Sequence, residues 1–230
     1  MHAVVLAGGR GTRLGSLTRE APKPMMPVAG RPFLEFVLDR LIVGGVGRIT
    51  LSVGYMAQAI QDHFGSAYRG VDVRYAVEEQ PLGTGGAVAF ALKDDGDEPA
   101  LVLNGDTFLQ VDYADLVQWY GKDPSPVAMV LRRMDDVARY GAVALEGERI
   151  AGFHEKGRTG PGLINAGVYV LRPSVFATLG LSGAFAFETD FLQRHCRDLK
   201  PRGYVTEAYF IDIGIPSDLE RARTELPKLA

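Results

Sequence analysis

Residues 6–27 read LAGGRGTRLGSLTREAPKPMMP, and the apolar run His2-Ala3-Val4-Val5 leads into them. The run from His2 to Ala7 is short and closed by Gly8-Gly9. That is the pattern of a central parallel strand covered on both faces. A glycine-rich turn follows, and then Lys23 stands between Pro22 and Pro24. Gly8, Gly9 and Gly11 are expected to let the backbone approach a ligand and adopt positive φ. Consecutive amide N–H groups of such a turn can meet phosphate oxygens. Arg13 adds a planar, permanently charged fork, and Lys23 a compact point charge whose stem the two prolines restrict. The segment therefore reads as a grip for a polyphosphate at the end of a buried strand.

Two familiar phosphate loops do not fit. A P-loop needs G-x-x-x-x-G-K-[ST], and no such string occurs. A dinucleotide fingerprint starting at Gly9 reaches Gly11 but then meets Leu14 in place of the third glycine. The acidic residue that should close the next strand is also missing, since Glu35 falls in a helical pattern. A nicotinamide-dependent dehydrogenase is thereby disfavoured.

Further along, strand and helix alternate. Phe33 to Ile42 has helical apolar spacing, Ile49 to Val53 reads as a strand, Met56 to Phe64 as a helix and Val71 to Val77 as a strand. Thr84 to Leu92 is a helix opening on glycines, and Ala100 to Leu103 a strand aimed at Asp106. This rhythm predicts an α/β fold: a Rossmann-like, doubly wound, mostly parallel mixed sheet. Beyond Val127 short strands take over, namely 127–131, 142–145 and 168–171. They are read as mixed-sheet additions around a second pocket.

The chain has 230 residues, enough for one such domain with an ample core. Its net charge of −3 argues against a broad nucleic-acid surface. One cysteine, Cys196, excludes an internal disulfide. No leader and no bilayer-length apolar stretch is visible, so the expectation is a cytoplasmic protein without a membrane partner. The four histidines are scattered without metal-ligand spacing.

Two aspartates stand out from their surroundings. Asp106 follows the strand ending at Leu103, where open α/β sheets bind ligands. Asp212 interrupts the otherwise apolar 209–215 segment, which is costly unless the charge is paired or metal-bound. Glu188 is an acid among aromatics and reads equally well as a ligand contact or as a charge at a helix N-terminus.

G-G-x-G-T-R-L followed by P-K-P resembles the N-terminal signature of the sugar-1-phosphate nucleotidylyltransferases. Glu78–Gly86 (EEQPLGTGG), Asn104-Gly105-Asp106, Phe153–Lys156 (FHEK), Asn165-Ala166-Gly167 and Asp212-Ile213-Gly214 follow in the family's order. Within the family, Arg139-Tyr140-Gly141, the 162–169 and 185–188 segments and the 209–216 segment look like those of D-glycero-α-D-manno-heptose 1-phosphate guanylyltransferases. Mannose 1-phosphate guanylyltransferases share most of these motifs, and N-acetylmuramate 1-phosphate uridylyltransferases are another compact relative.

The resemblance implies one catalytic domain over 1–230, with a nucleotide part of about 1–110 and a sugar part of about 111–230, and no C-terminal β-helix. It implies transfer of a nucleoside monophosphate from a nucleoside triphosphate to a sugar 1-phosphate, releasing pyrophosphate, in the service of cell-surface glycans. Mg²⁺ is the implied cofactor, held by Asp106 and Asp212. Arg13 and Lys23 would grip the triphosphate, and Lys156 the sugar phosphate.

The nucleotide would lie on Leu6, Ala7, Gly8, Gly9, Gly11 and Thr12, and against Glu78, Glu79, Gln80, Pro81, Gly83, Thr84 and Gly85. The sugar phosphate would meet Asn104, Asp106, Gly141, Glu155, Lys156, Asn165 and Glu188. Guanine presents two adjacent donors that a carboxylate accepts together, so Glu78 and Glu79 favour GTP, while Gln80 leaves uracil open. A homodimer is left open. A catalytically silent sugar-nucleotide sensor would be expected to lack one of these cations or carboxylates, whereas Arg13, Lys23, Asp106, Lys156 and Asp212 are all present.

Overall fold

The computed structural model describes residues 1–9, 11, 14–15 and 21–229. Strand β1 (His2–Leu6) leads, past a 3₁₀ turn at Lys23–Met25, to a small hairpin of β2 (Pro27–Val28) and β3 (Arg31–Pro32). Then come α1 (Phe33–Val43), β4 (Arg48–Val53), α2 (Ala57–Phe64), β5 (Ala67–Tyr68), β6 (Val71–Val77), α3 (Gly83–Ala91) and β7 (Ala100–Asn104). The remainder comprises β8 (Thr107–Leu109), α4 (Tyr113–Lys122), β9 (Val127–Met134), β10 (Ala142–Glu146), β11 (Arg149–His154) and β12 (Gly162–Leu171). After α5 (Ser174–Thr178), a π-helical segment (Phe187–Gln193) and α6 (Cys196–Leu199), the chain forms β13 (Arg202–Thr206), β14 (Phe210–Asp212) and α7 (Pro216–Glu225).

Ten strands make one sheet in the order β10-β11-β13-β9-β12-β7-β1-β4-β6-β5, and β8 pairs with β14 beside it. The half built from β7, β1, β4 and β6 is parallel, as expected. The other half is joined mainly by antiparallel ladders, with β13 parallel to β9.

Period-two alternation sorts the strand residues between two cores. Ala3, Val5, Leu51 and Leu103 face α1, α4 and α7, while Val4, Val102, Met129 and Tyr169 face α3 and the π-helical segment. Both faces of the central strands are thus covered, which is why β1 and β7 read as apolar runs, whereas β6 alternates buried and exposed residues. Cys196 is buried in the second core and acts as packing.

Strand β12 is longer than its 168–171 core, and its register on β9 shifts between Asn165 and Tyr169. That irregularity places Asn165 inside the strand instead of at its edge. Such bulges re-aim side chains next to functional sites.

The glycines of α3 have a reason the sequence reading did not supply. Phe185 O accepts the N–H groups of Gly85 and Gly86, at 2.9 and 3.2 Å. A Cβ on Gly86 would be driven into the carbonyl oxygen of Gly183, which is backbone and cannot turn aside. Gly86→Ala is therefore expected to destabilise the protein by about 1–3 kcal/mol, the usual cost of overpacking. A denaturant midpoint equal to that of the wild type would contradict this.

Candidate active site

Strand β1 pairs with β4 on one side and β7 on the other, all parallel. The chain leaves β1 for β4 and returns to β7 on the opposite flank. The crevice at the carboxyl ends of these strands is the ligand position of open α/β sheets. Gly105 seals its floor: its N–H donates to Leu6 O at 2.9 Å, and a Cβ there would sit 2.6 Å from that oxygen. Only glycine lets the backbones touch, and the touch sets Asp106 at the end of β1.

Asp212 reaches the same spot from the far end of the chain. The β8–β14 ladder pairs Asp212 with Thr107, and Ile213 N–H donates to Asp106 O at 3.0 Å. The ammonium of Lys23 bonds to Asp106 Oδ2 and lies 3.6 Å from Asp212 Oδ1. Its side chain is only 8 % exposed. The convergence of Asp106 and Asp212 is thus present, with Lys23 as their shared counter-charge. Among the described residues no group of three or more His, Cys, Asp or Glu side chains could hold a metal.

Two clefts meet at Asn104 and Asp106. The first, about 620 Å³, is lined by Leu6, Gly8, Gly9, Lys23, Tyr55, Glu78, Glu79, Pro81, Gly83 and Thr84. Ala7, Gly11, Gln80 and Gly85 are not among its lining residues. Thr12 and Arg13 lie outside the described residues.

One expectation for this cleft needs correction. Of the three early glycines only Gly11 has positive φ, at 62°. Gly8 is needed for packing instead, since a Cβ would meet Gly54 N at 3.0 Å. Likewise Gly83 and Gly85 make room for Phe185: a Cβ on Gly83 would lie 2.6 Å from Phe185 O, and one on Gly85 would strike the Phe185 ring. Glu78 is already engaged, with Oε2 accepting Leu82 N–H at 3.0 Å and Oε1 accepting Ser52 Oγ–H at 3.4 Å. Glu79 is exposed and lines the cleft.

The second cleft, about 340 Å³, gathers Asn104, Asp106, Asp212, Gly141, Lys156, Asn165 and Glu188. Glu155 is not in its lining, although His154 and Lys156 are. The Asn165 amide is engaged on both sides: Nδ2 donates to Tyr169 Oη at 2.7 Å and to Glu188 Oε1 at 3.0 Å, and Oδ1 accepts Gly167 N–H at 2.9 Å. It anchors Glu188, which is exposed. Burial, reinforced by the Glu188 charge, holds the Tyr169 hydroxyl far above its ordinary pKa, so it stays neutral. From the other side, Thr84 Oγ1 accepts Phe187 N–H at 2.9 Å, tying the segment that carries Glu188 to α3.

Tyr55, Arg139, Tyr140, Phe153 and Tyr169 were not assigned roles from the sequence. Tyr55 could have been found, since it follows β4 at the same carboxyl edge as Asp106. Tyr169 had no such signal, because an apolar strand gives a tyrosine no outward mark.

This geometry is matched by family. The nucleotidyl transferase model aligns with residues 2–228, and the chain belongs to that family. It is similar to D-glycero-α-D-manno-heptose 1-phosphate guanylyltransferases from two bacteria. The one from Aneurinibacillus thermoaerophilus is 38 % identical over 226 residues, covering 98 % of either chain. The one from Campylobacter jejuni is 40 % identical over 219 residues, covering 95 % of this chain and 96 % of the other. Among solved structures, HddC from Yersinia pseudotuberculosis complexed with GMP-PN superposes with a TM-score of 0.86 at 37 % identity, covering 97 % of this chain and 98 % of that one. No helix among the described residues is long and apolar enough to cross a membrane.

Proposed function

We propose that the protein transfers GMP from GTP to D-glycero-α-D-manno-heptose 1-phosphate, forming a GDP-heptose and releasing pyrophosphate. The observation that carries this reading is the meeting of two clefts at Asn104 and Asp106, where Lys23 joins Asp106 to Asp212. The part up to Gln110 is assigned to the nucleotide and the remainder to the sugar phosphate, within one catalytic domain.

In the reaction an anionic oxygen of the sugar 1-phosphate attacks the α-phosphorus of GTP. A new P–O bond forms, the bond to the β-phosphate breaks, and its electron pair leaves with pyrophosphate. The nucleophile is already ionised, so no general base is required; positioning and charge neutralisation supply the catalysis. Lys23 is assigned to the triphosphate, Lys156 to the sugar phosphate, and Glu78 and Glu79 to guanine. Glu188, held by Asn165, is assigned to sugar hydroxyls.

Two carboxylates without a dedicated cage suit Mg²⁺, which typically takes one or two protein carboxylates and completes its shell with phosphates and water. Asp106 and Asp212 would hold it. Bound there, it would supply charge neutralisation on the triphosphate.

The test is pyrophosphate release with Mg²⁺, crossing GTP, UTP, ATP, CTP and dTTP with the heptose 1-phosphate and mannose 1-phosphate. Preference for GTP and the heptose is expected. Preference for another pair would move the substrate assignment, and nucleotide binding without turnover on any pair would favour a sensor. Asn165→Ala, which frees Glu188, should raise the KM for the sugar phosphate about tenfold with little change for GTP, the signature of a lost positioning contact. A shift confined to the GTP KM would mean Glu188 is misassigned.

A further inference from the structure

Arg139 and Tyr140 line the sugar cleft, yet neither has a role in the reaction as assigned above. Arg139 lies in the connection between β9 and β10. Its Nη2 donates to Asp218 Oδ2 at 2.5 Å, and its Nη1 lies 3.4 Å from Oδ1. Asp218, the third residue of α7, has a side chain only 4 % exposed, whereas that of Arg139 is 51 % exposed. A carboxylate is costly to bury unless cations and hydrogen bonds compensate it. Arg139 does so with two donors, and Arg221 adds a third contact at 3.4 Å.

The guanidinium is also held from below. It lies over the Tyr140 ring, 5.5 Å from its centre, and Tyr140 packs edge-on against Phe210 at 5.9 Å. Phe210 begins β14, which ends in Asp212, and α7 with Asp218 starts shortly after. Arg139 is thus clamped to the connection that carries Asp212.

A guanidinium has five N–H donors in a rigid fork. Asp218 takes two, which leaves three on a half-exposed group in the cleft wall. The other cations nearby are differently placed. The charge of Lys23 is taken up by Asp106 and Asp212. Lys156 is exposed and, among the described residues, makes no ion pair. A phosphate monoester carries about −1.5 to −2 charge at neutral pH, more than one lysine neutralises. Arginine suits such a group because its fork matches phosphate geometry.

We propose that Arg139 is a second cation for the phosphate of the sugar 1-phosphate, and that buried Asp218 is the positioning residue that fixes its guanidinium. This rests on the nucleotidyl-transfer reading of the site.

Initial rates of pyrophosphate release from GTP and the heptose 1-phosphate are compared for wild type, Arg139→Ala, Arg139→Lys, Asp218→Asn and the Arg139→Ala/Asp218→Asn double variant. Arg139→Ala is expected to raise the sugar-phosphate KM about tenfold or more while leaving the GTP KM within about twofold. Arg139→Lys should recover part of the loss. Asp218→Asn should raise the same KM by less, and the double variant should be no worse than Arg139→Ala, because the aspartate acts through the arginine.

A merely structural salt bridge would lower the melting temperature without moving that KM, and a sugar-phosphate KM unchanged in Arg139→Ala overturns the proposal. A calorimetric titration of nucleotide-free protein with the heptose 1-phosphate needs no turnover. Binding weakened about tenfold in Arg139→Ala supports the assignment. Equal binding by both proteins, or none by the wild type, overturns it. Binding that depends on Arg139 in a protein that turns over no nucleotide sinks the functional reading instead.

Discussion

Asp106→Asn is expected to lower kcat by about a hundredfold or more while the protein stays folded. The substitution keeps the shape of the side chain and removes its charge where the two clefts meet. An amide is a poor ligand for a hard cation and cannot balance Lys23. Losing one preorganised electrostatic contact at a reacting centre typically costs on the order of 10²–10³ in rate. Stability should change little. Asp106 is 32 % exposed, and its pair with Lys23 is partly screened. Asp212 remains as a partner for the lysine, at 3.6 Å. A shift in melting temperature of no more than about 3 °C is expected. A variant with near-wild-type kcat in Mg²⁺ would refute the assignment of Asp106 to the metal.

Lys23→Met should fail in a different way. Methionine fills the buried stem but removes the charge that Asp106 and Asp212 share. Breaking a buried ion pair by deleting one partner costs about 3–5 kcal/mol. With the aspartates 32 % and 28 % exposed, the discounted figure is about 1–3 kcal/mol. The variant should therefore melt measurably lower in chelator, and added Mg²⁺ should raise its melting temperature more than it raises that of the wild type. Turnover should fall by about a hundredfold or more, since the charge assigned to the triphosphate is gone. Equal Mg²⁺ stabilisation of the two proteins would show that Lys23 does not share its carboxylates with the metal.

The sequence carried the parallel half of the sheet because β1 and β7 are buried on both faces, and double burial writes an apolar run; in β4 only Thr50 and Ser52 interrupt it. Asp106 was legible because it ends such a run. Asp212 was legible because a charge inside an apolar segment needs a partner, though not which partner. What stayed hidden depends on residues distant in the chain. The α3 glycines also accommodate Phe185, about a hundred positions later, and nothing near them in the chain announces that contact. Asn165 was read as a sugar contact, and its bonds to Tyr169, Glu188 and Gly167 left no mark in the sequence. Arg139 appeared only as part of a motif, because its partner Asp218 lies on another element. The antiparallel half of the sheet was also harder to trace, since β12 is interrupted by a bulge at the motif it carries.

The β7–β12 ladder has a further consequence. It hydrogen-bonds Ala100–Leu103 to Val168–Leu171 in continuous register, and so welds the two cleft walls into one slab. A jaw-like opening between the walls would shear that ladder, so substrates cannot be admitted by a hinge there. Entry and product departure are then expected at the rim of the clefts. Substitutions at that rim should govern how long the sugar nucleotide lingers after the bond has formed.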